Sequence, residues 1–166
     1  LLLKSLNETT QVSINKLSTI KMKFSAAILA AAAATGATAD AVFNVRDFAA
    51  SCTPHSAMCS YSFNVIQPGT MDTKGYECTA KLPGAGPGEL PEVKVGTCLP
   101  SSRTFDVVRS DKGLTLTVSV QVSPNSFTKG SHLIPTKDIK TVKGDTPTGD
   151  AQAYVGPKDF PLERVD

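Results

Sequence analysis

Apolar and polar residues alternate repeatedly along the chain from residue 42 onward. The clearest run covers residues 114–122, in which five apolar side chains alternate with four polar ones. A period of two over nine residues is typical of a strand with one buried face. Shorter runs of the same kind predict further strands at residues 42–48, 61–65, 93–95, 104–107 and 151–155.

Glycine and proline separate these runs at intervals of about ten residues. Asp111-Lys112-Gly113 lies between two predicted strands, and it indicates a tight hairpin with a positive φ at Gly113. No segment after residue 39 keeps a helical period beyond two turns. Many short, evenly spaced strands predict an all-β domain over residues 40–166, either a small antiparallel β-barrel or a β-sandwich.

Residues 22–39 have the three parts of a secretory signal peptide. Lys21 and Lys23 supply the positive charge, residues 24–34 are apolar, and Ala37-Thr38-Ala39 is a small-residue cleavage site. A bilayer span needs about 20 apolar residues, so we expect no transmembrane span here. The alternative is a buried alanine-rich helix. The preferred interpretation predicts a secreted, extracellular protein.

Residues 1–21 precede the first methionine of that signal peptide. We interpret them as a non-native upstream segment, which arises from conceptual translation of an untranslated region or from a misassigned start codon. A real extension with a weak helix over residues 6–20 is the alternative. The sequon Asn7-Glu8-Thr9 lies in this segment, so we expect it to be absent from the secreted domain.

Charge does not favour a nucleic-acid partner. The chain has 17 basic and 15 acidic residues and a formal net charge of +2. Residues 1–39 contain four lysines and one glutamate, so the predicted secreted domain is slightly negative. Binding to nucleic acid or to an acidic membrane surface relies on clustered positive charge.

Four cysteines lie in the predicted secreted domain, namely Cys52, Cys59, Cys78 and Cys98. An even number behind a signal peptide indicates two disulfides, for which three connectivities are possible. We favour the pairing of neighbours, which would close the loops 53–58 and 79–97. Reduced buried cysteines and a zinc site are the alternatives. No Cys-x-x-Cys pair supports zinc, and we predict no metal site.

No residue stands out as catalytic, and we expect neither an enzyme activity nor a cofactor. His55 and His132 are the two histidines, and neither lies near a Gly-x-Ser-x-Gly elbow. We interpret both as exposed or hydrogen-bonded loop residues. Acidic residues occur singly, and the glycines at 84, 86 and 88 are interrupted by proline. The lysines at 129, 137, 140 and 143 are interrupted by Asp138 and Asp145, which indicates a solvated face.

Several short motifs follow one another along the chain in a characteristic order. They are residues 52–63 around Cys52-Thr53-Pro54-His55-Ser56, then Gly96-Thr97-Cys98, Ser101-Ser102-Arg103-Thr104-Phe105, residues 113–118 and Tyr154-Val155-Gly156-Pro157. This series resembles the small secreted proteins of filamentous ascomycetes that act as hypersensitive-response-inducing elicitors. The similarity spans nearly all of residues 40–166. The pattern is also distantly similar to the Alternaria major allergen group, secreted β-barrels whose neighbouring cysteines pair. That comparison is one of architecture alone, because the C-terminal half of this chain lacks the group's second cysteine pair and the Cys52–Cys59 pair is placed differently.

The elicitor resemblance implies an apoplastic protein that plant cells perceive and answer with defence and local cell death. Its partner would be a plant cell-surface or apoplastic protein, and the protein itself would be a monomer. The family provides no catalytic residues to carry over. Loops on a rigid β scaffold commonly bind partners. We therefore expect recognition by loop 53–58, with Thr53, Pro54, His55 and Ser56, and by loop 81–97; the alternative is that both are simple connectors.

Two other functions fit the same composition. A barrel of about eight strands can hold a small molecule inside, so a secreted ligand carrier is the first alternative. A core packed solidly by its phenylalanines and by the apolar residues of segment 114–118 would count against it. A secreted cell-wall hydrolase ranks last, because it needs two carboxylates or a Ser/His pair in one cleft.

Overall fold

The computed structural model describes residues 40–54, 56–71, 73–143 and 149–166. The predicted signal peptide, the upstream segment, His55 and Asp145 lie outside the described residues. Ten strands and one short 3-10 helix (η1) follow one another along the chain: β1 Ala41–Cys52, β2 Met58–Ile66, β3 Tyr76–Pro83, β4 Val93–Leu99, β5 Thr104–Ser110, β6 Gly113–Ser123, β7 Ser126–Pro135, η1 Thr136–Asp138, β8 Ile139–Val142, β9 Ala151–Tyr154 and β10 Phe160–Val165.

Eight of these strands form a closed antiparallel barrel. Strands β1 to β7 pair in chain order, and β10 pairs with β7 on one side and with β1 on the other. The remaining two strands form a hairpin, β8–β9, which joins β1 through Ser51 and Ala153. The prediction of an all-β domain is confirmed, and the sheet takes the barrel form.

Strand β6 shows how the alternating pattern builds the wall. Leu114, Leu116 and Val118 are buried inside the barrel, and the threonines between them face outward. Gly113 has a φ of 138° directly after the two-residue turn that joins β5 to β6, as the Asp-Lys-Gly signal indicates. Five of the six predicted runs fall entirely within strands, and the sixth, 151–155, extends one residue beyond β9. Strands β3, β7, β8 and β10 were not predicted, because their apolar residues do not alternate cleanly.

The barrel interior is filled by aromatic and branched side chains. Phe63 lies between Phe48 and Phe105, with ring centroids 5.7 Å and 5.0 Å apart respectively. Phe48 also meets Phe160 edge to face at 5.4 Å. Closely packed rings of this kind leave little room for a ligand. The largest fully buried side chains are those of Tyr61, Phe43, Phe48, Phe63, Phe105, Leu90, Leu114, Leu116, Ile134, Leu162, Val45 and Val65.

Strand β1 bends so that it can join two different partners. Its register with β2 shifts between Arg46 and Ala49, and Asp47 in that bulge has a φ of 53°. The backbone N–H of Asp47 donates to the carboxylate of Asp159 at 3.0 Å. The bulge increases the local twist. The first half of β1 can therefore pair with β10, and the second half with β9.

Both predicted disulfides are confirmed. Cys52 pairs with Cys59 across β1 and β2, and Cys78 pairs with Cys98 across β3 and β4. In each case the two cysteines are direct cross-strand partners, with a Cα–Cα distance of 3.9 Å. Each bond therefore staples one adjacent pair of strands.

The interpretation of His132 as a loop residue is wrong. It lies in β7 opposite Leu116, and this register places it on the inward row of the strand. Its ring stacks on Phe160 with centroids 4.3 Å apart. Burial lowers the pKa of His132, although a hydrogen bond to the Pro161 carbonyl and the nearby Glu163 and Asp138 oppose this effect.

None of the described residues forms a helix that is long and apolar enough to cross a bilayer.

Candidate functional site

The predicted site residues are divided between the two ends of the barrel. Successive connections in an up-and-down barrel alternate between its ends. The turn after β1 and the β3–β4 connection therefore share one end, which we call the loop end. The β4–β5 turn, which contains Ser101, Ser102 and Arg103, lies at the opposite end.

The turn after β1 is held tightly by the Cys52–Cys59 disulfide and by its own hydrogen bonds. The backbone N–H of Thr53 donates to the Met58 carbonyl at 2.9 Å, and that of Ser56 donates to the Thr53 carbonyl at 3.1 Å. The Ser56 hydroxyl accepts a bond from the N–H of Met58 at 3.2 Å. Thr53 and Pro54 remain exposed. The turn thus presents a fixed surface.

The second predicted recognition loop is shorter than the expected 81–97. Strand β3 extends to Pro83 and β4 begins at Val93, so the connection covers residues 84–92. The glycine and proline residues that break the sheet are confined to residues 84–91. Lys81, Leu82 and the Val93-Lys94-Val95 segment already belong to strands.

The β3–β4 connection is anchored to the barrel through Leu90. This side chain is fully buried, and its backbone N–H donates to the side-chain carbonyl of Gln152 at 3.0 Å. Its own carbonyl accepts a hydrogen bond from the Arg109 guanidinium. The same guanidinium forms an ion pair with Glu89 at 3.2 Å. Both sides of the Leu90 backbone are therefore fixed.

A second anchor lies one residue further along. The Tyr61 hydroxyl, inside the barrel, donates to the carbonyl of Pro91 at 2.7 Å. Burial raises the pKa of Tyr61 far above its ordinary value, and the nearby Arg109 cation partly offsets this. Tyr61 therefore stays protonated and available as a donor. Together the two anchors hold the connection in one conformation.

The two loops meet at the loop end. The N–H of Gly84 donates to the Ala57 carbonyl at 2.7 Å, and the Gly88 carbonyl accepts from the N–H of Gln152 at 2.6 Å. Gly88 has a φ of 68°, and a Cβ there would lie 1.9 Å from the Asp150 carbonyl oxygen. This close approach requires glycine. Between the loops lies a groove of about 540 Å³, the loop groove, lined by Thr53, Ser56, Ala57, Gly84, Gly86, Pro87, Gly88 and Asp150.

The described lining of the loop groove consists of small and polar residues. Its lining offers two hydroxyl side chains and one carboxylate, that of Asp150, alongside glycine, alanine and proline. A hydrolase would need a base with a nucleophile, or a second carboxylate across the cleft. Across the described residues, no three His, Cys, Asp or Glu side chains come together as a possible metal site. Among the described residues, the lining therefore offers hydroxyl groups, one carboxylate and small side chains to a partner.

The motif of residues 101–105 lies away from the loop groove and joins two turns at the opposite end. The Ser101 hydroxyl donates to the Cys98 carbonyl at 2.9 Å and accepts from the Arg103 N–H at 3.1 Å. Arg103 donates to the Gln67 side chain at 2.9 Å and lies 4.1 Å above the Tyr76 ring. These contacts give the motif a structural role in this barrel.

The remaining members of that motif are divided between surface and core. Ser102 is exposed in the turn, and Thr104 begins β5. Phe105 is buried, and its ring covers Gly96 on β4, where a Cβ would lie 2.2 Å from the ring. The glycine of the Gly96-Thr97-Cys98 motif therefore makes room for this phenylalanine.

The closing motif, residues 154–157, is also a structural tie. The Tyr154 hydroxyl donates to the Pro157 carbonyl at 2.7 Å, and its ring packs over Gly156. The ring also meets Phe48 edge to face at 4.8 Å.

Sequence reasoning located the two loops but missed their junction. Ala57 lies in the predicted loop 53–58 but was not singled out, and nothing in the sequence pointed to Asp150, an isolated acidic residue. The glycines of 84–88 signalled a loop, and only their contacts show that they form a groove wall.

Comparison with known proteins does not assign the chain to a group: no protein-family model and no curated protein sequence matches it.

Proposed function

We propose that this protein is a secreted, non-catalytic fungal elicitor that plant cells recognise through the loop end and answer with a hypersensitive response. One observation carries the proposal. The two loops that the sequence marks for recognition are anchored side by side and enclose the loop groove. A rigid loop surface on a stable scaffold reduces the ordering cost of binding a partner.

The elicitor part of the proposal rests on the resemblance of the motif series to secreted ascomycete elicitors. Two disulfides are compatible with an oxidising, extracellular location. The partner we propose is a plant cell-surface or apoplastic protein, contacted by exposed residues such as Thr53, Pro54 and Pro87. The protein would act as a monomer.

The packing of the barrel argues against the carrier alternative. The phenylalanines at 43, 48, 63 and 105 and the apolar residues of β6 at 114, 116 and 118 are each at most 2% exposed. They form one continuous cluster. A carrier of this fold would have to displace that packing to admit a ligand.

Leaf infiltration with pure protein tests the proposal. At micromolar dose we expect an oxidative burst followed by local cell death. The double variant Thr53→Arg with Pro87→Arg should lose this activity, because both changes place bulk on the rim of the loop groove. The matched control is Pro68→Arg with Thr70→Arg, two exposed positions in the β2–β3 connection at the opposite end.

A failure of the unmodified protein to act at this dose would contradict the proposal. Equal activity of the two double variants would contradict the assignment to the loop end. Intact mass of protein from culture filtrate tests secretion separately. We expect residues 40–166, with a gain of four hydrogens on reduction of the two disulfides.

A further inference from the structure

The barrel wall has an opening between strands β3 and β4. These strands pair through Glu77, Cys78 and Thr79, whose partners are Leu99, Cys98 and Thr97. Beyond Thr79 they separate, although β3 continues to Pro83 and keeps its pairing with β2 throughout. The opening has a volume of about 550 Å³ and is lined by residues 79–82 of β3, by Glu92 and by residues 93–97 of β4. We call it the β3–β4 gap.

The β3 side of the gap presents free backbone groups. The Cys98 N–H donates to Arg103 on the β5 side, so Cys78 and Cys98 do not exchange backbone hydrogen bonds. Bonded and non-bonded pairs alternate in an antiparallel ladder. The backbone of Thr79 therefore points to β4, and so does that of Lys81 two residues later. No strand of the described chain pairs with Lys81 from that side.

The β4 side of the gap is a bulge. The register of β4 with β5 shifts between Val93 and Gly96, and the intervening Lys94 and Val95 are both exposed. Val95 keeps 72% of its surface open to solvent, so nothing in the described chain covers this apolar side chain. Two separated strand edges thus face each other across the gap, with an apolar residue on one of them.

The charged side chains around the β3–β4 gap indicate which kind of peptide segment it would bind. Lys81 and Lys94 lie one on each side of the gap, and neither forms an ion pair with any described residue. Glu92 is the one acid of the lining, and its carboxylate is held toward β5 by the backbone N–H of Arg109 at 2.9 Å. The rim of the gap is therefore positive, which favours an acidic segment and disfavours a basic one.

From this arrangement we propose that the β3–β4 gap binds an extended acidic peptide, which enters as an additional strand between β3 and β4. Strand addition uses the ladder groups of the sheet for affinity and side-chain contacts for specificity. Here the backbone of Lys81 would supply ladder bonds, Val95 would contact an apolar side chain, and the two lysines would pair with carboxylates. This site lies outside the loop groove and does not depend on the elicitor proposal.

The first test uses a short fluorescent peptide, blocked at both ends, that alternates glutamate with valine. We expect its fluorescence anisotropy to rise on titration with the full protein. Two other peptides act as controls. One carries lysine in place of glutamate, and the other is methylated on alternate backbone nitrogens so that it cannot complete a ladder. Both should bind at least about tenfold more weakly, a difference of about 1.4 kcal/mol.

The second test locates the site. Lys81→Glu with Lys94→Glu should weaken binding about tenfold or more, because both rim charges are reversed. The matched control is Lys140→Glu with Lys143→Glu. It makes the same charge change at exposed positions on and next to β8, which is itself a sheet edge. Binding to the control should stay within about twofold. Peptide addition should shift the backbone amide NMR signals of Lys81 and Val95.

Several results would overturn the proposal. They are an absence of binding at millimolar peptide, equal binding of the lysine peptide, or amide shifts confined to β8 or to the loop groove. A dimer of the protein alone, with Lys81 and Val95 at its interface, would mean that a second copy fills the gap. Should the double variant unfold, Val95→Asp provides an independent test, because it places a negative charge in the gap at an exposed position.

Discussion

At the scale of single residues, Tyr61 connects the core to the loop end. Its ring is 1% exposed, while its hydroxyl reaches the Pro91 carbonyl of the β3–β4 connection. Because this buried side chain hydrogen-bonds to the connection, the packed core stabilises the conformation of the loop. The order of the loop groove therefore depends partly on one buried hydroxyl.

Removing the Tyr61 hydroxyl should destabilise the protein even when the aromatic ring is retained. Tyr61→Phe keeps the packing but leaves the buried Pro91 carbonyl without its donor, so we expect a loss of about 1–3 kcal/mol in the free energy of unfolding. Tyr154→Phe removes a similar bond in an exposed setting and should cost less. Urea unfolding of both variants makes the comparison, and equal losses would contradict this role of Tyr61.

His132 gives the barrel a dependence on pH. Burial lowers the pKa of this side chain in the folded protein, below the ordinary value of about 6.5 that applies to the unfolded chain. Between these two pKa values the unfolded chain binds more protons than the folded one. The free energy of unfolding should therefore fall as pH decreases from about 6.5 through the folded pKa, and then become constant for this group.

The variant His132→Phe tests this dependence, because phenylalanine can keep the stacking on Phe160 without titrating. Its free energy of unfolding should change less over the same pH range than that of the unmodified protein. Thermal or urea unfolding at a series of pH values provides the measurement. Identical slopes would show that other groups dominate, among them Asp106, whose pKa burial raises.

At the scale of elements, the two disulfides staple different parts of the wall. Cys52–Cys59 closes the short turn of the loop end, with a sequence separation of 7. Cys78–Cys98 spans 20 positions and joins β3 to β4 one residue pair before they part. The second bond thus lies next to the start of the β3–β4 gap.

Removing the bonds one at a time should distinguish these roles. Chain entropy gives losses of about 2.5 kcal/mol for Cys52→Ala with Cys59→Ala, and about 3.3 kcal/mol for Cys78→Ala with Cys98→Ala. Urea unfolding measures both. The second pair should also increase hydrogen exchange at Thr79 and Thr97, the last ladder pair before the gap, whereas the first should affect Thr53 and Ser56. A larger loss from the short loop would contradict the entropic account.

A strand was predictable from the sequence where buried and exposed residues alternate regularly along it. Strand β6 has one face inside the barrel and one outside, so its alternation was clear. Strand β7 buries Gly130 and Ile134 but half-exposes His132 between them, and this obscured the period. The disulfides were predictable because the cysteines are few and their nearest neighbours in sequence are also cross-strand partners.

The loop groove and the β3–β4 gap were beyond sequence reasoning. The groove depends on the contact of Gly84 with Ala57 and on the approach of Asp150 to Gly88, both of which arise from the closure of the barrel. The gap depends on where pairing stops between two strands. The pattern of hydrophobic residues along β3 and β4 does not show where their pairing ends.

At the scale of the whole molecule, stability depends on how β10 closes the barrel. Leu162 is fully buried, on a strand that pairs with both β1 and β7. Leu162→Ala should therefore cost about 2–5 kcal/mol. Leu133 on β7 is 42% exposed, so Leu133→Ala should change stability by about 0.5 kcal/mol or less. Urea unfolding compares the two, and a small effect at Leu162 would contradict closure by β10.

The closing strand also sets an order of events during synthesis. The bond from the Asp47 N–H to the Asp159 carboxylate joins residues 112 positions apart, and the neighbouring ladder joins β1 to β10. On a ribosome, β1 can pair with β2 as soon as that strand emerges, yet its other edge must wait until β10 has been made. Distant pairings of this kind slow folding. Until then the nascent barrel is an open sheet whose two exposed edges can pair with other chains, so its solubility during synthesis depends on how quickly β10 arrives.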